Sequence, residues 1–200
     1  PPTFPGLPHP LVSQPPWPQP PAQSLNIPVA AASIPLVPGW NLISIPEALP
    51  DTDPAVVLAS IAGSFTRVMA YDNCDPADPW KLYDPTNPAA SDLTVIDHRI
   101  GFWIEMTAAG TLNVSGTVPT STTLRLCQGW NLIGYPLDQT LPVAGALSSV
   151  EGKYQRLFAY EAAAPLEPWS ALDVATPAWS NALALMIPGR GSWLLATDTA

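Results

Sequence analysis

Pro38-Gly39-Trp40-Asn41-Leu42-Ile43-Ser44-Ile45-Pro46 is matched, 90 positions later, by Gln128-Gly129-Trp130-Asn131-Leu132-Ile133-Gly134-Tyr135-Pro136. The match does not stand alone. Phe65-Thr66-Arg67-Val68-Met69-Ala70-Tyr71-Asp72 pairs with Tyr154-Gln155-Arg156-Leu157-Phe158-Ala159-Tyr160-Glu161, 89 positions on. Pro79-Trp80 pairs with Pro168-Trp169, and Gly101-Phe102-Trp103-Ile104-Glu105-Met106-Thr107 pairs with Gly191-Ser192-Trp193-Leu194-Leu195-Ala196-Thr197. Six of the eight tryptophans fall in matched pairs. Chance does not place such blocks in one order at one offset, so the chain reads as a tandem duplication.

Each unit reads as mainly β with one short helix. The Gly-Trp-Asn-Leu-Ile block has strand composition, with Gly before it and Pro after. Asp53 is an N-cap, Pro54 suits the first helical position, Val57, Leu58 and Ile61 share a face, and Gly63 ends the turn. Residues 142–152 read the same way. A strand over 65–71 follows, then a Pro/Asp/Asn-rich loop carrying Trp80 and Tyr83, then a strand over 101–107. Residues 111–115 and 122–126 supply two shorter strands. The fold expected is two tandem β-rich units, sandwich- or barrel-like, behind an extended N-terminal arm. The boundaries are 1–23 for the arm, 24–125 for unit one and 126–200 for unit two.

Unit two has a gap. In unit one the Gly-Phe-Trp strand is followed by Thr111-Leu112-Asn113-Val114-Ser115, whereas the corresponding strand of unit two runs to Ala200. Ser24-Leu25-Asn26-Ile27-Pro28-Val29 has the sequence of the absent strand. It is expected to close unit two, with residues 24–35 entering unit two of the same chain or of a neighbouring copy. A strand passed head to tail between copies builds a filament.

The arm before it is rich in proline and bare of charge. Residues 1–21 hold ten prolines, and residues 1–46 contain no Asp, Glu, Lys or Arg. Proline fixes φ and extends its predecessor, so the arm is polyproline-like or irregular. A linker is one reading. Phe4, Leu7, Leu11, Val12 and Trp17 favour an arm that lies on a surface, its own or a neighbour's. Trp17, Ser24, Leu25, Asn26, Ile27 and Val29 are the expected subunit interface.

The Gly-Trp-Asn-Leu-Ile block, the Ala-Tyr-(Asp/Glu) block, the Asp-Pro-Trp loop and the Gly-x-Trp strand resemble tandem "GWNL" repeats of bacterial secreted and cell-surface proteins. The resemblance spans 36–197. It implies an extracellular structural module and brings no shared catalytic motif.

Composition narrows the functions. Lys plus Arg is 7 against 16 Asp plus Glu, a net charge of −9, which excludes nucleic-acid binding through overall charge. No apolar run approaches the ~18 residues of a spanning helix. With 27 prolines, a helical bundle is excluded as well. The chain opens Pro1-Pro2 with no signal-like segment, which predicts a processed chain whose leader was removed. Scarce Lys with abundant Ser, Thr, Ala and Pro suits an extracellular or cell-surface setting.

Few residues carry chemistry. His9 and His98 are the only histidines, and neither has a ligand cluster around it in sequence. His98 follows Asp97, but no Gly-x-Ser-x-Gly elbow is present. No catalytic residue and no cofactor are expected. Asp72, Asn73, Asp75 and Asp78 are oxygen-dense enough for calcium, set against ordinary turn chemistry. The matched Arg67 and Arg156 should sit beside Phe65 and Tyr154 on one strand face, stacked on rings or paired with carboxylates. The matched tryptophans fit core packing, Trp40 and Trp130 against the short helix of their own units, with a sugar-binding face as the alternative. Asn113-Val114-Ser115 is a glycosylation sequon. Cys74 and Cys127 either bridge unit one to unit two or remain two thiols.

The expected function is a non-enzymatic extracellular structural subunit, a homopolymer that builds a filament or surface layer by N-terminal strand donation. The alternative is a carbohydrate-binding or adhesion module with glycan partners. No nucleic acid and no membrane span are expected.

Overall fold

The computed structural model describes residues 29–199. The arm and Ser24, Leu25, Asn26 and Ile27, together with Trp17, lie outside the described residues.

The protein is mainly β. In chain order the elements are β1 (Val29–Leu36), β2 (Gly39–Ser44), helix α1 (Pro54–Val57), β3 (Phe65–Tyr71), β4 (Trp80–Tyr83), β5 (Gly101–Met106), β6 (Gly110–Thr117), β7 (Gly129–Ile133), β8 (Leu141–Pro142), helix α2 (Val143–Ala146), β9 (Tyr154–Tyr160), β10 (Trp169–Asp173), β11 (Leu185–Met186) and β12 (Ser192–Ala196). One four-stranded sheet has the order β2-β5-β3-β4, and the other has β7-β12-β9-β10. The two orders correspond strand for strand along the 90-residue offset. No described helix is long and apolar enough to cross a membrane.

The Gly-Trp-Asn motif has a local physical cause. Gly39 and Gly129 hold φ of +92° and +105°, which a side chain disfavours. The Asn two residues on is buried and satisfies the backbone that this turn leaves open. Asn41 Nδ2 donates to the carbonyls of Val37 and Gly39, and its Oδ1 accepts from Val37 N–H at 3.0 Å. Asn131 repeats this with Cys127 and Gly129. The helices are single turns continued by 3-10 turns at Ala59–Ile61 and Ser148–Val150. Asp53 caps α1, accepting from Ala55 N–H at 2.8 Å.

Unit one buries its core between the inner face of its sheet, α1 and a two-stranded sheet of β1 and β6. Phe102, Ile104 and Val68 from the sheet meet Leu58 and Ile61, with Ile34 and Leu112 on the far side. β1 pairs with β6 antiparallel, Ile34 opposite Leu112 and Ala32 opposite Val114. This corrects the expected interface in part: Val29 pairs with Thr117 of its own chain, and residues 29–35 belong to unit one. The reason is alternation, since the inward residues of β1 and β6 complete one apolar face. Three further expectations change. Trp80 and Tyr83 lie in a strand, not a loop. Residues 122–126 are not a strand, because no described strand pairs with them. Phe65 and Arg67 do not share a face: a bulge sets Phe65 opposite Met106 and Arg67 opposite Glu105, so Phe65 turns inward and Arg67 outward.

The units meet through backbone at the ends of their strands. Ser44 N–H donates to the Gly189 carbonyl at 3.0 Å, and Gly134 N–H donates to the Arg99 carbonyl at 2.9 Å. These are the same bond made twice, once in each direction. Isolated bridges between Ile43 and Arg190, and between Ile133 and Ile100, accompany them. The approach leaves no room for a side chain at Gly101, whose Cβ would lie 2.5 Å from the Ile133 oxygen. A Cβ at Gly191 would likewise lie 2.6 Å from the Ile43 oxygen. Gly101→Ala is expected to push the units apart and cost about 1–3 kcal/mol in urea unfolding. Unchanged stability would mean that the seam does not hold the units this closely.

One buried charge stands out. Glu47 is 3% exposed, and its Oε2 has no hydrogen-bond partner among the described residues. Burial pushes its carboxyl above the ordinary range, a bond to its own backbone acts against this, and the Asp138 charge adds to the rise. An acid whose folded pKa is raised holds its proton more tightly folded than unfolded. Stability therefore falls as pH climbs from ~4.3 through the raised value. Glu47→Gln is expected to remove this slope and to gain about 1 kcal/mol at pH 7, read from urea midpoints across pH 3–8.

Candidate functional site

The seam carries an aromatic face built from matched positions of both units. Strand alternation sends Phe102, Ile104 and Met106 of β5 into the core, so Trp103 points outward. Trp193 does the same on β12. Tyr71 and Tyr160 end β3 and β9 on their outer faces, and each contacts the tryptophan that pairs with it across the strands. The ring centroids are 4.9 Å apart for Tyr71–Trp80 and 5.0 Å for Tyr160–Trp169. Each pair then meets the other unit. Tyr71 lies 5.2 Å from Trp193, and Tyr160 lies 5.0 Å from Trp103. Trp80–Trp193 and Trp103–Trp169 are both 5.9 Å apart, edge to face. Such edge-on contacts are favoured by ring quadrupoles.

This corrects the reading of Trp40 and Trp130. Both are half-buried on the outer face of their sheets, away from the short helices. Trp40 packs edge-on to Trp103 at 6.3 Å, and Trp130 tilts against Phe158 at 5.5 Å. Trp80 and Trp169 are 43% and 48% exposed, so the matched tryptophans are not core residues. Tyr71, Trp80, Trp130, Phe158, Trp169 and Trp193 line an open groove of about 680 Å³. No charged side chain lines it. A signal for this face was present in sequence at Trp103, where Phe102, Ile104 and Met106 form the alternate apolar set that faces the core.

The matched arginines flank the face. Arg67 Nε binds Glu105 at 2.8 Å, and its guanidinium sits 5.7 Å from the Trp40 ring centre. Thr66 and then Arg67 hold the Glu105 carboxyl below its ordinary range. Arg156 binds Asp173 at 2.8 Å. Both guanidinium groups are thus paired with carboxylates.

The acidic cluster does not converge. Asp72 accepts from Cys74 N–H, and Asn73 donates to the carbonyls of Cys127 and Gln128. Asp75 and Asp78 both bind Lys81 at 3.0 Å, which pushes the lysine up to about 12. Among the described residues no group of three acidic, His or Cys side chains is placed to hold a metal ion. His98 sits at a turn, where burial lowers its pKa. Asp97 gives both carboxylate oxygens to Arg99. Asn113 is exposed on β6, accepting from Ser33 Oγ at 2.8 Å.

Cys74 and Cys127 are joined, with Cα atoms 5.4 Å apart across a sequence separation of 53. The bridge ties the turn after β3 to the residue entering β7, and the Asn73 bonds reinforce it. Removing it with Cys74→Ala/Cys127→Ala is expected to cost about 4 kcal/mol, since it closes a long loop of the unfolded chain. A loss under 1 kcal/mol in urea unfolding would show that the seam alone holds the units.

A second feature lies on the inner side of unit two. Residues 119–126 precede β7 as β1 precedes β2, with Leu124 and Leu126 placed like Ile34 and Leu36. Among the described residues their backbone has no partner strand. Leu124, Leu126, Leu147, Val150 and Met186 line a cavity of about 200 Å³ beside them. Thr122 Oγ1 is buried there without a hydrogen bond among the described residues. In unit one the corresponding place is filled by β6: Leu112 and Val114 are buried, and Asn113 N–H donates to Ser60 Oγ at 2.9 Å.

No family model, curated protein or solved structure matches this chain.

Proposed function

We propose that this protein is a non-enzymatic extracellular structural subunit that joins copies of itself into a filament or surface layer by N-terminal strand donation. The single observation that supports the reading is the open edge at 119–126 beside an apolar cavity, in the place where unit one has β6. Ser24-Leu25-Asn26-Ile27 corresponds to Thr111-Leu112-Asn113-Val114, so Leu25 and Ile27 are the side chains to fill the cavity. Unpaired backbone beside buried apolar surface favours a strand that satisfies both. Since β1 is occupied by β6 in its own unit, the residues ahead of Val29 are the ones left to reach another copy. The cystine fits an oxidising compartment.

The alternative is a carbohydrate-binding or adhesion module, and the aromatic groove is the feature in its favour. Its lining offers rings but no carboxylate or amide side chain. Specific sugar sites use both, so this reading stands second.

Ser149 holds in unit two the place of Ser60, which bonds Asn113 in unit one. Asn26→Cys/Ser149→Cys in the full chain is therefore expected to give a ladder of covalent oligomers on a non-reducing gel. A single intrachain bond would place the strand within its own copy and overturn the filament. No bond at either place would overturn donation.

A further inference from the structure

We propose that the aromatic groove at the seam binds the Pro-rich arm of the neighbouring copy, centred on Pro15-Pro16-Trp17-Pro18-Gln19-Pro20-Pro21. Six aromatic residues drawn from both units line it, and four of them are tryptophans. Aromatic-lined grooves suit polyproline because the extended chain is already ordered, so little entropy is lost on docking. Proline rings fit between flat aromatic edges, and indole N–H groups are matched to the exposed carbonyls of such a chain. Charge agrees as well. The groove has no charged lining residue, and residues 1–46 contain no Asp, Glu, Lys or Arg. A charge-free apolar segment and a charge-free apolar groove each reduce the other's exposure to water.

Reach sets which copy supplies the arm. The cavity that would take residues 24–27 is lined from the inner face of the β7-β12-β9-β10 sheet, by Ile133 and Leu194. The groove is lined from the outer face of the same sheet, by Trp130, Phe158 and Trp193. The two sites are thus opposite sides of one sheet. Only Ala22 and Gln23 separate Pro21 from Ser24. In polyproline geometry the seven steps from Trp17 to Ser24 would cover roughly 20 Å at about 3.1 Å each. Sheet layers are ~10 Å thick, so the arm has length to pass round the edge. In assigning the arm to the copy that donates the strand, this inference rests on strand donation between copies.

Photo-cross-linking in the full chain tests it. Gln19→benzoylphenylalanine is made in isotopically heavy chain, mixed with light chain during assembly, irradiated and digested. Heavy-to-light links to peptides bearing Trp80, Trp130 or Trp169 are expected. Adding Trp80→Ala/Trp169→Ala to the light chain is expected to lower their yield about tenfold. Links confined to one isotope would mean that a chain's own arm fills the groove, and would overturn the neighbour as source. Links elsewhere, or none, would overturn the groove as the arm's site. Groove tryptophan quenching by an oligosaccharide without any residue-19 link would assign it to glycan instead. A parallel Leu25→benzoylphenylalanine chain reads strand donation separately through links to Leu124 or Val150 peptides. Loss of one set of links with the other intact therefore identifies which idea has failed.

Discussion

Two backbone hydrogen bonds organise the molecule: Ser44 to Gly189, and Gly134 to Arg99. Both join the strand after a Gly-Trp-Asn turn to the turn before the opposite unit's Gly-x-Trp strand. They require backbone to touch backbone, which is why Gly101 and Gly191 stand where they do. The contact also brings the outer faces of two sheets edge to edge, so rings that one unit would leave in water gain neighbours from the other. The disulfide and Asn73 secure the same junction from one side. Neither aromatic face would be complete without the seam. Trp193 contacts Tyr71 and Trp80 of the other unit, and Trp103 contacts Tyr160 and Trp169.

The cross-unit contacts stabilise the rings without burying them. Edge-to-face pairs add on the order of 0.5–1.5 kcal/mol each beyond area burial. They hold the rings in fixed orientations while Trp80 and Trp169 keep more than two-fifths of their surface open. An ordered apolar surface is a better docking platform than a mobile one, because little side-chain entropy remains to be lost.

Much of this was legible in the sequence, and the failures have physical causes. The offset of matched blocks led to the expectation of two similar β-rich units without their strand order, and Asp53-Pro54 marked the capped helix start. The tryptophans were misplaced because strand composition says nothing about facing. Parity does: Phe102, Ile104 and Met106 are the apolar set of β5, which leaves Trp103 outside. Arg67 escaped even parity, since a bulge at Phe65–Arg67 breaks the alternation. Residues 29–36 were not seen as one strand, because Ala30-Ala31-Ala32 and Pro35 have little strand propensity. Their pairing with β6 is imposed by tertiary context. The aromatic face also needed both units at once, and the offset could not show that they meet through these strands.

Among the described residues β6 covers β1 in unit one, whereas no strand pairs with 119–126 in unit two. The turn at Ser148–Val150 and the leucines at 124 and 126 retain the geometry that, in unit one, receives β6. Keeping an apolar recess without its cover is costly, since Thr122 Oγ1 is buried without a hydrogen bond among the described residues. Under the proposed donation, a strand from another copy would remove this cost. A contact of this kind joins two different surfaces, so each subunit that accepts a strand still offers its own. Such head-to-tail contacts propagate unless the rotation between copies closes a ring. In the proposed assembly, the arm beyond the donated strand would add a second anchor on the same acceptor. Two linked contacts then hold where either alone would be weak, because docking the first raises the local concentration of the second.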